Sequence, residues 1–456
     1  MTDRLTRPQS RLLLGAVAGL TVVLAIVVRF AFINQVSGDY RSFVSPWYDQ
    51  LASSGFAGLG SSFSNYNPPY LYLLAAVTYL PLPKIVAIKA ISMLFDVVLA
   101  GFAALIVRER FRRPLLPLVT FAAVLFAPTV VINSSAWGQC DSVYAAFCLG
   151  SLYFLIRRRP WWACIFFALG LSFKLQAIFF LPVLIIVMVV NKERLRALLA
   201  VPAVFAVMLL PAAIAGRDMV SLLSIYPDQI TTGGTATGFR SNAAGSVGRG
   251  GVGGGGDGDG GGGGGFQGFG PGGAQVGGSN SDLTQNAPTF YQWLGSGAST
   301  VWKYIGLVAA GLIVLFAGVV SWPRRRRLTT AEIVVLATTL VLAVPFLLPQ
   351  MHERYFYLAD VLSIVMAFFV RRYWPVAILV SLCSLLSYAP FLWGSTPVAL
   401  PLVAFGEFLA VLATLWVFLS IMRDPEQSAL IRVIPGGQRN GVESAGQSPR
   451  HPWPIR

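Results

Sequence analysis

Long apolar runs recur along this chain, and they constrain its fold more than any other feature. The first run extends from Leu12 to Ile33, which is longer than the apolar core of a signal peptide, so we expect it to be retained. Segments of this length and polarity cross a bilayer as helices, because a helix bonds its own backbone polar groups. With 55% hydrophobic and 12% charged residues, the chain is too apolar for a soluble globular protein. The sequence therefore predicts an all-α, polytopic membrane protein.

Basic clusters separate the apolar runs and predict the orientation of the chain. Most of the 34 Lys and Arg residues fall near the termini or in short clusters between runs, and short basic loops face the cytoplasm. The net charge of +15 thus indicates topology and contact with anionic lipids, and we expect no nucleic acid as a partner. The clusters are Arg108–Arg113, Arg157–Arg159, Lys192–Arg196, Arg324–Arg327 and Arg371–Arg372.

Placing every basic cluster in the cytoplasm predicts about twelve spans with both termini cytoplasmic. The short apolar piece 68–80 does not then cross, and we expect a juxtamembrane helix at the outer leaflet. The segments richest in polar residues all fall on the outer side, which favours chemistry at that face. The predicted spans are 11–33, 84–107, 114–132, 141–156, 160–173, 175–190, 197–215, 299–321, 328–348, 355–370, 373–390 and 397–421.

The predicted organisation is one membrane domain followed by a tail. The domain covers 1–423, and the polar segment 424–456 is expected to be a disordered cytoplasmic tail. A first outer loop lies at 34–67 and a large outer loop at 216–298. Glycine dominates this large loop from 233 to 278, where it cannot offset its ordering entropy, so we predict disorder there. The glycines lack the spacing of a phosphate-binding loop.

The first candidate for chemistry is a carboxylate that directly follows the first apolar run. Asp39 is followed by Tyr40 and Arg41, where an acid can lie close to a lipid headgroup and remain ionised. It could act as a general base that takes a proton from an acceptor hydroxyl. It could equally cap the helix that begins at Tyr40, because Asp is a favoured N-cap.

Two later turns on the predicted outer side carry further candidates. Asp141 ends a polar turn that also contains Trp137 and Gln139, and it could either cap the next helix or belong to a site. Lys174 and Gln176 lie between two short apolar runs. The lysine could extend its ammonium group to the membrane interface or bind a phosphate, and its anionic partner is not visible in the sequence.

Two more outer segments contain aromatic and titratable side chains. Tyr66 and Tyr70 flank a pair of prolines, and tyrosines suit the membrane interface whether or not they contact a substrate. His352, Glu353 and Arg354 form a titratable cluster between two spans. Charged groups beside hydrocarbon are costly, so such a cluster indicates function. A lone histidine with scattered carboxylates lacks the spacing of a zinc site, and we expect no metal.

Three other carboxylates, Asp96, Asp360 and Glu407, lie inside apolar runs. An ionisable group within a span faces other helices or water, so these residues could be structural. The cysteines show no metal-ligand or redox spacing, and they behave as small hydrophobic residues inside apolar runs.

In their order along the chain, these motifs resemble those of the C-type (GT-C) membrane glycosyltransferases. The resemblance is strongest to the glucosyltransferases that use dolichyl-phosphate-glucose in N-glycan assembly and to their bacterial relatives. An Asn interrupts the family's Tyr-Pro-Pro motif here, and Arg replaces Lys after His-Glu. The matching elements are Gly38-Asp39-Tyr40, Tyr66-Asn67-Pro68-Pro69-Tyr70, Phe173-Lys174-Leu175-Gln176 and His352-Glu353-Arg354.

The resemblance implies an inverting transfer of a hexose, glucose or mannose, from a polyprenyl-phosphate donor to a hydroxyl of a glycan or glycolipid acceptor. Asp39 would be the base, and Lys174, His352 and Arg354 would bind the donor phosphate without any metal or other cofactor. The reaction would take place at the extracytoplasmic face of a bacterial plasma membrane, or of the ER membrane in a eukaryote. The other residues expected to contact substrate are Tyr40, Arg41, Tyr66, Tyr70, Trp137, Gln139, Asp141, Gln176 and Glu353.

A transporter or flippase for lipid-linked sugars is the main alternative, and a noncatalytic membrane scaffold is another. Transporters often contain internal repeats and helices broken near the bilayer midplane, whereas this chain has no clear repeat and its polar segments share one face. A scaffold would not require Asp39 and His352 on the same side of the membrane.

Overall fold

The computed structural model of the protein is almost entirely helical, and this confirms the predicted all-α class. Its strands are two residues each within the described part of the chain. The predicted glycine-rich stretch and the predicted tail lie outside the described residues, so both remain predictions. The structure describes residues 7–111, 113–231, 283–294, 301–322 and 327–423.

Eleven α-helices precede the large loop, and proline begins several of them because it fits the first helical turn, where its missing N–H is not needed. Short 3-10 or π-helical turns, such as Tyr40–Val44 and Ile132–Trp137, join some of these helices. The helices are α1 (Arg7–Phe30), α2 (Ser45–Ser54), α3 (Pro68–Val77), α4 (Lys84–Arg110), α5 (Leu115–Leu125), α6 (Pro128–Val131), α7 (Asp141–Ile156), α8 (Pro160–Phe173), α9 (Leu181–Val190), α10 (Ala200–Ile214) and α11 (Met219–Thr231).

In the described parts of the second half, the chain adds five α-helices and two short strands. The strands pair in parallel, with Thr284 opposite Met351 and Gln285 opposite His352. A 3-10 turn, Glu353–Phe356, follows the second strand. The elements are β1 (Thr284–Gln285), α12 (Val301–Ser321), α13 (Thr330–Leu347), β2 (Met351–His352), α14 (Tyr357–Phe369), α15 (Trp374–Trp393) and α16 (Leu400–Arg423).

Among the described residues, seven helices are long and apolar enough to cross a membrane. The pair Leu115–Leu125 and Pro128–Trp137 is bent by 50° and makes an eighth if it forms one span. Shorter apolar helices lie where other spans were predicted, so a polytopic bundle is confirmed while the count of about twelve stays a prediction. The seven are Leu12–Phe30, Lys84–Arg110, Leu195–Ile214, Val301–Ser321, Thr330–Leu347, Arg371–Trp393 and Leu400–Arg423.

The core of the bundle surrounds α13. In the apolar window of this helix 89% of the residues are buried, against 11% in the window of α1. A capping box begins α13: the Thr329 side chain accepts from the Glu332 N–H, and the Glu332 carboxylate accepts from the Thr329 N–H. Such a box satisfies two backbone donors that a helix start leaves unpaired. The central helix therefore has a defined first turn, and α1 lies at the periphery.

The three carboxylates inside apolar runs, which were expected to face other helices or water, are buried. Asp96 forms an ion pair with Arg29 at 2.8 Å, which joins α1 to α4. Asp360 accepts a hydrogen bond from the Ser384 hydroxyl at 2.8 Å, and Glu407 is also fully buried. These side chains face neighbouring helices, because hydrocarbon offers a carboxylate no hydrogen bond.

Short helices cover one end of the bundle, the end that the charge pattern predicts to be outer. At ten residues, α3 has a length of about 15 Å, roughly half the thickness of the hydrocarbon core. This length supports the prediction that 68–80 does not cross. The segment 283–294 lies at the same end, where Tyr291 donates to the Leu347 carbonyl at 3.0 Å and Trp293 to the Pro401 carbonyl at 3.0 Å.

Candidate active site

A cavity of about 220 Å³ lies at the predicted outer end of the bundle. Its wall combines side chains from the first outer loop, the turn after α8, the end of α11 and the segments that contain the two strands. Charged groups that are distant in sequence meet there, among them Asp39, Lys174, His352, Glu353 and Arg354. Tyr66, Gln139 and Gln176, also predicted as site residues, line the same cavity.

The carboxylate of Asp39 is held by three donors on one of its oxygens. Oδ2 accepts from Trp137 Nε1 at 3.0 Å, from Arg354 Nη1 at 3.3 Å and from the Gln139 amide. Among the described residues, no donor bonds to Oδ1. The side chain is 15% exposed. One oxygen is therefore fixed in place while the other is available to a ligand.

Asp39 does not cap a helix. It directly precedes the π-helical turn Tyr40–Val44, but its side chain makes no capping hydrogen bond. Ser37 takes that role instead, because its hydroxyl accepts from the Tyr40 N–H at 3.0 Å and donates to the Trp137 carbonyl at 2.7 Å. The capping interpretation is wrong, and the carboxylate is available for another role.

Lys174 forms a buried ion pair with Asp141. Its Nζ donates to Asp141 Oδ1 at 2.5 Å and to Gln139 Oε1 at 3.3 Å, and Asn133 Nδ2 donates to the other Asp141 oxygen at 2.7 Å. The lysine side chain is 7% exposed, so it does not extend to the interface. Asp141 makes no side-chain cap for α7. It lies behind the cavity wall, where its negative charge compensates the positive charge of Lys174.

Arg354 joins the two carboxylates of the cavity. Its Nη1 lies 3.3 Å from Asp39 Oδ2 and 3.4 Å from Glu353 Oε1, and its guanidinium lies over the Trp137 ring at 5.5 Å. Burial disfavours the charged guanidinium, but the carboxylates of Asp39 and Glu353 outweigh it and raise the pKa of Arg354 well above its usual value. The arginine remains charged, and its buried Nε has no hydrogen-bond partner.

Burial also changes the pKa of the neighbouring acid, Glu353. It raises the pKa of Glu353 to about 7, although the positive charge of Arg354 opposes the shift. Glu353 is 2% exposed, so its charged form loses most of its hydration. The net charge around Arg354 therefore changes with pH near neutrality.

His352 lies in β2 and fixes the end of the large loop beside it. Its backbone pairs with Gln285 and bridges to Asn286, and its ring lies 5.1 Å from that of Tyr355. The side chains of Gln285 and Asn286 thereby reach the cavity wall. Carboxamides carry no charge and no periodic pattern, so nothing in the sequence indicates that these two residues line a site.

The first loop is held by a lysine that sequence reasoning missed. Lys89 Nζ donates to the Ile33 carbonyl at 2.9 Å and to the Gln35 carbonyl at 2.6 Å. Its side chain passes Gly138, whose φ of +75° is left-handed and whose added Cβ would lie 3.4 Å from Lys89 Cε. Glycine adopts this conformation without strain, so the turn can close against the lysine. The chain before Asp39 is fixed as a result.

Several predicted substrate contacts do not line the cavity. Arg41 is exposed, and Tyr40 packs beside the Gly138 turn. Tyr70 is buried behind Tyr66, with the two rings edge to face at 5.5 Å. Trp137 and Asp141 also lie behind the wall, where they position Asp39 and Lys174 through the contacts described above.

Among the residues that the structure describes, no three His, Cys, Asp or Glu side chains are grouped so that they could hold a metal ion. The cavity presents the carboxylates of Asp39 and Glu353, two largely buried cations and a histidine. Such a set can accept a proton from a hydroxyl and bind an anionic oxygen.

A model of Glycosyltransferase family 87 matches residues 63–228. The matched stretch is less than half of the chain; it contains Tyr66, Gln139 and Lys174, whereas Asp39 and Arg354 lie outside it. No curated protein matches the chain. Together with the apolar helices, the match indicates a membrane glycosyltransferase, which agrees with the resemblance to GT-C enzymes at the level of the reaction class.

Proposed function

We propose that the protein is an inverting glycosyltransferase that moves a hexose, glucose or mannose, from a polyprenyl-phosphate donor to an acceptor hydroxyl at the extracytoplasmic face. One observation carries the proposal: Asp39, Lys174 and Arg354, distant in sequence, converge on a single cavity at one end of the bundle. The acceptor would be a glycan or a glycolipid. The membrane would be a bacterial plasma membrane, or the ER membrane in a eukaryote.

Asp39 is the general base of the proposed reaction. Its Oδ1 takes the proton of the acceptor hydroxyl while the hydroxyl oxygen attacks the anomeric carbon. The bond between that carbon and the phosphate oxygen breaks on the opposite face, so the configuration inverts and polyprenyl phosphate leaves with the electron pair. A positioned base of this kind contributes about 10²- to 10⁴-fold. The donors on Oδ2 support this role because they fix the orientation of the carboxylate.

Lys174, His352 and Arg354 bind the donor phosphate in this proposal. Lys174 uses two of its three N–H groups on Asp141 and Gln139, so one is available to a ligand. Arg354 likewise has an Nε donor without a partner. Negative charge grows on the phosphate as the bond breaks, and hydrogen bonds from cations to anionic oxygens are the strong ones.

The location of the cavity suits a lipid-linked donor. Apolar side chains, including Phe43, Trp47, Phe173 and Phe391, line it beside the charged groups. A polyprenyl tail can remain among the membrane helices while its sugar and phosphate enter the cavity. A polyprenyl-phosphate donor also suits an extracytoplasmic site, where nucleotide sugars are absent.

The test is a donor assay with the purified protein. A panel of polyprenyl-phosphate hexoses is supplied with an acceptor extract, and release of free polyprenyl phosphate is measured. We expect Asp39→Asn to lower turnover by about 10²- to 10⁴-fold while donor binding persists, because the amide keeps an oxygen for the donors on Oδ2.

The matched control is Asp49→Asn, which changes an exposed acid of the same segment. It should leave turnover unchanged. Release that is the same in wild type and Asp39→Asn, or release from no donor in the panel, contradicts the proposal. A flippase would mostly keep its transport of lipid-linked sugar in the Asp39→Asn variant, and this outcome would favour the alternative function.

A further inference from the structure

One wall of the cavity is rich in carboxamide side chains. They come from four separate parts of the chain: the start of α3, the turn after α8, the end of α11 and the segment that contains β1. A carboxamide carries no charge and offers both a donor and an acceptor. Besides Gln139, which holds Asp39, the carboxamides of the wall are Asn65, Asn67, Gln176, Gln229, Gln285 and Asn286.

Three of these side chains have a buried side-chain carbonyl oxygen that accepts no hydrogen bond from the part of the chain that the structure describes. The oxygens are Asn65 Oδ1, Asn67 Oδ1 and Gln176 Oε1. Asn67 is 1% exposed and Gln176 is 9% exposed. A buried acceptor that has lost water and gained no donor is costly, and most buried polar groups in folded proteins are paired. Three such oxygens on one wall indicate a ligand that supplies the donors.

Hydrogen bonds to the backbone hold two of these carboxamides in place. Asn67 Nδ2 donates to the Ser172 carbonyl at 2.7 Å, so the amide of Asn67 cannot be turned over without losing that bond. Gln229 Nε2 donates to the backbone carbonyl of Asn65 at 2.5 Å, which joins α11 to the first loop. These two bonds hold Asn67 and Gln229 in the carboxamide wall.

We propose that the carboxamide wall is a subsite for the hydroxyl groups of a neutral sugar ring, with Asn65, Asn67 and Gln176 accepting hydrogen bonds from those hydroxyls. Each orphan oxygen accepts and cannot donate, so the ligand must carry hydrogen-bond donors, and the hydroxyl groups of a sugar supply them. This inference rests on the proposed function for the identity of the substrate, and on the three oxygens for the chemistry of recognition. The charged side of the cavity then binds the phosphate, and the carboxamide wall binds the sugar ring through its hydroxyl groups.

The direct test is binding of small neutral sugars to the protein in lipid nanodiscs. Methyl glucoside, methyl mannoside and their deoxyfluoro analogues are titrated and followed by saturation-transfer NMR. Fluorine accepts weakly and cannot donate, so at least one deoxyfluoro position should weaken binding by about 5- to 100-fold, as expected when a buried acceptor loses its donor.

The variant Gln176→Met separates recognition from general damage. It should weaken the parent glycoside about as much as the critical fluorine substitution does, and it should not weaken that deoxyfluoro analogue further, because the two changes remove the same bond. Structural damage would weaken both ligands equally. Asn65→Leu repeats the test from the first loop, and Gln50→Met, at an exposed position, should have no effect.

The same glycosides identify which sugar the wall contacts. Competitive inhibition of polyprenyl phosphate release against the donor assigns the wall to the donor's hexose. Transfer of hexose onto the methyl glycoside assigns it to the acceptor. Either result supports the subsite.

The subsite and the proposed function can fail separately. Glycoside binding with the expected dependence on fluorine and Gln176, but no turnover with any donor, would support the subsite and contradict the reaction. Turnover together with glycoside binding that is insensitive to fluorine, to Gln176→Met and to Asn65→Leu would overturn the subsite and leave the reaction standing. Absence of glycoside binding would also overturn it.

Discussion

Two buried arginines, Arg29 and Arg354, differ in what their guanidinium groups contact. Every nitrogen of Arg29 is engaged inside the bundle: Nε and Nη2 bond to Asp96, Nη2 also to the Leu125 carbonyl and Nη1 to the Ala25 carbonyl. Among the described residues, Arg354 makes side-chain hydrogen bonds through Nη1 alone, and its Nε has no partner. Each nitrogen of Arg29 thus has a protein partner, whereas Arg354 keeps a donor for a ligand.

The difference follows from where the two side chains lie. Arg29 is 1% exposed, between transmembrane helices, where an unpaired donor would be costly. The Arg354 side chain is 13% exposed and lines the cavity, where a ligand can complete its bonding. Burial of a charge in this bundle therefore does not by itself indicate function. Incomplete hydrogen bonding of a charged group beside a cavity does indicate function.

The largest expected effect is on stability, at Arg29. Arg29→Met leaves the Asp96 carboxylate buried without its cation, which costs about 3–5 kcal/mol when one partner of a buried pair is removed. Thermal unfolding in detergent measures the loss, and turnover per folded molecule should stay near wild type. The double variant Arg29→Met with Asp96→Leu removes both charges and should recover much of the stability. An Arg29→Met variant as stable as wild type would contradict a structural role for Arg29 and remove the contrast with Arg354.

The next effect is on catalysis, at Arg354. Arg354→Lys keeps the charge but loses the planar fork and the unpaired Nε, so the rate of polyprenyl phosphate release should fall about 10²- to 10³-fold with little change in unfolding temperature. Arg41→Lys, an exposed arginine of the first loop, is the control and should keep full activity. Equal loss in the two variants, or a loss of stability like that of Arg29→Met, would argue against a ligand-binding role.

The smallest effect is a pH dependence from the neighbour of Arg354. The folded pKa of Glu353 is about 7, above the unfolded value of about 4.3, so the folded protein binds a proton that the unfolded chain has released. Stability should therefore fall as pH rises from about 4.3 to about 7 and level off above that. Unfolding measured across this interval tests the slope, which Glu353→Gln should flatten. An unchanged slope in that variant would assign the dependence to another group.

The membrane fold was the most predictable part of this molecule. Apolar runs and basic clusters are local signals, and they predicted an all-α bundle in which the long described helices fall at predicted spans. They also predicted that Asp39 and the titratable cluster His352–Arg354 would share one face, and the structure brings Asp39 and Arg354 to 3.3 Å. Their roles in catalysis remain predictions.

The site was less predictable wherever a residue acts through a distant partner. The sequence could not choose between two roles for Lys174, because Asp141, its partner, belongs to another turn. Arg29 and Lys89 interrupt apolar runs without a recognisable motif, and their partners lie more than fifty residues away. The carboxamide side chains carry no charge, and their positions in the sequence show no periodic spacing. Local sequence patterns do not reveal which distant residues pair or which uncharged polar side chains line a site.

Both sides of the large loop are anchored near the cavity by hydrogen bonds between described residues. Before it, Gln229 bonds to the Asn65 carbonyl; after it, β1 pairs with β2 and Tyr291 bonds to the Leu347 carbonyl. These contacts join described residues on either side of the loop, so insertions, deletions or a grafted reporter between positions 232 and 282 can leave them in place. The same arrangement would let evolution change the length of the stretch without rebuilding the enzyme.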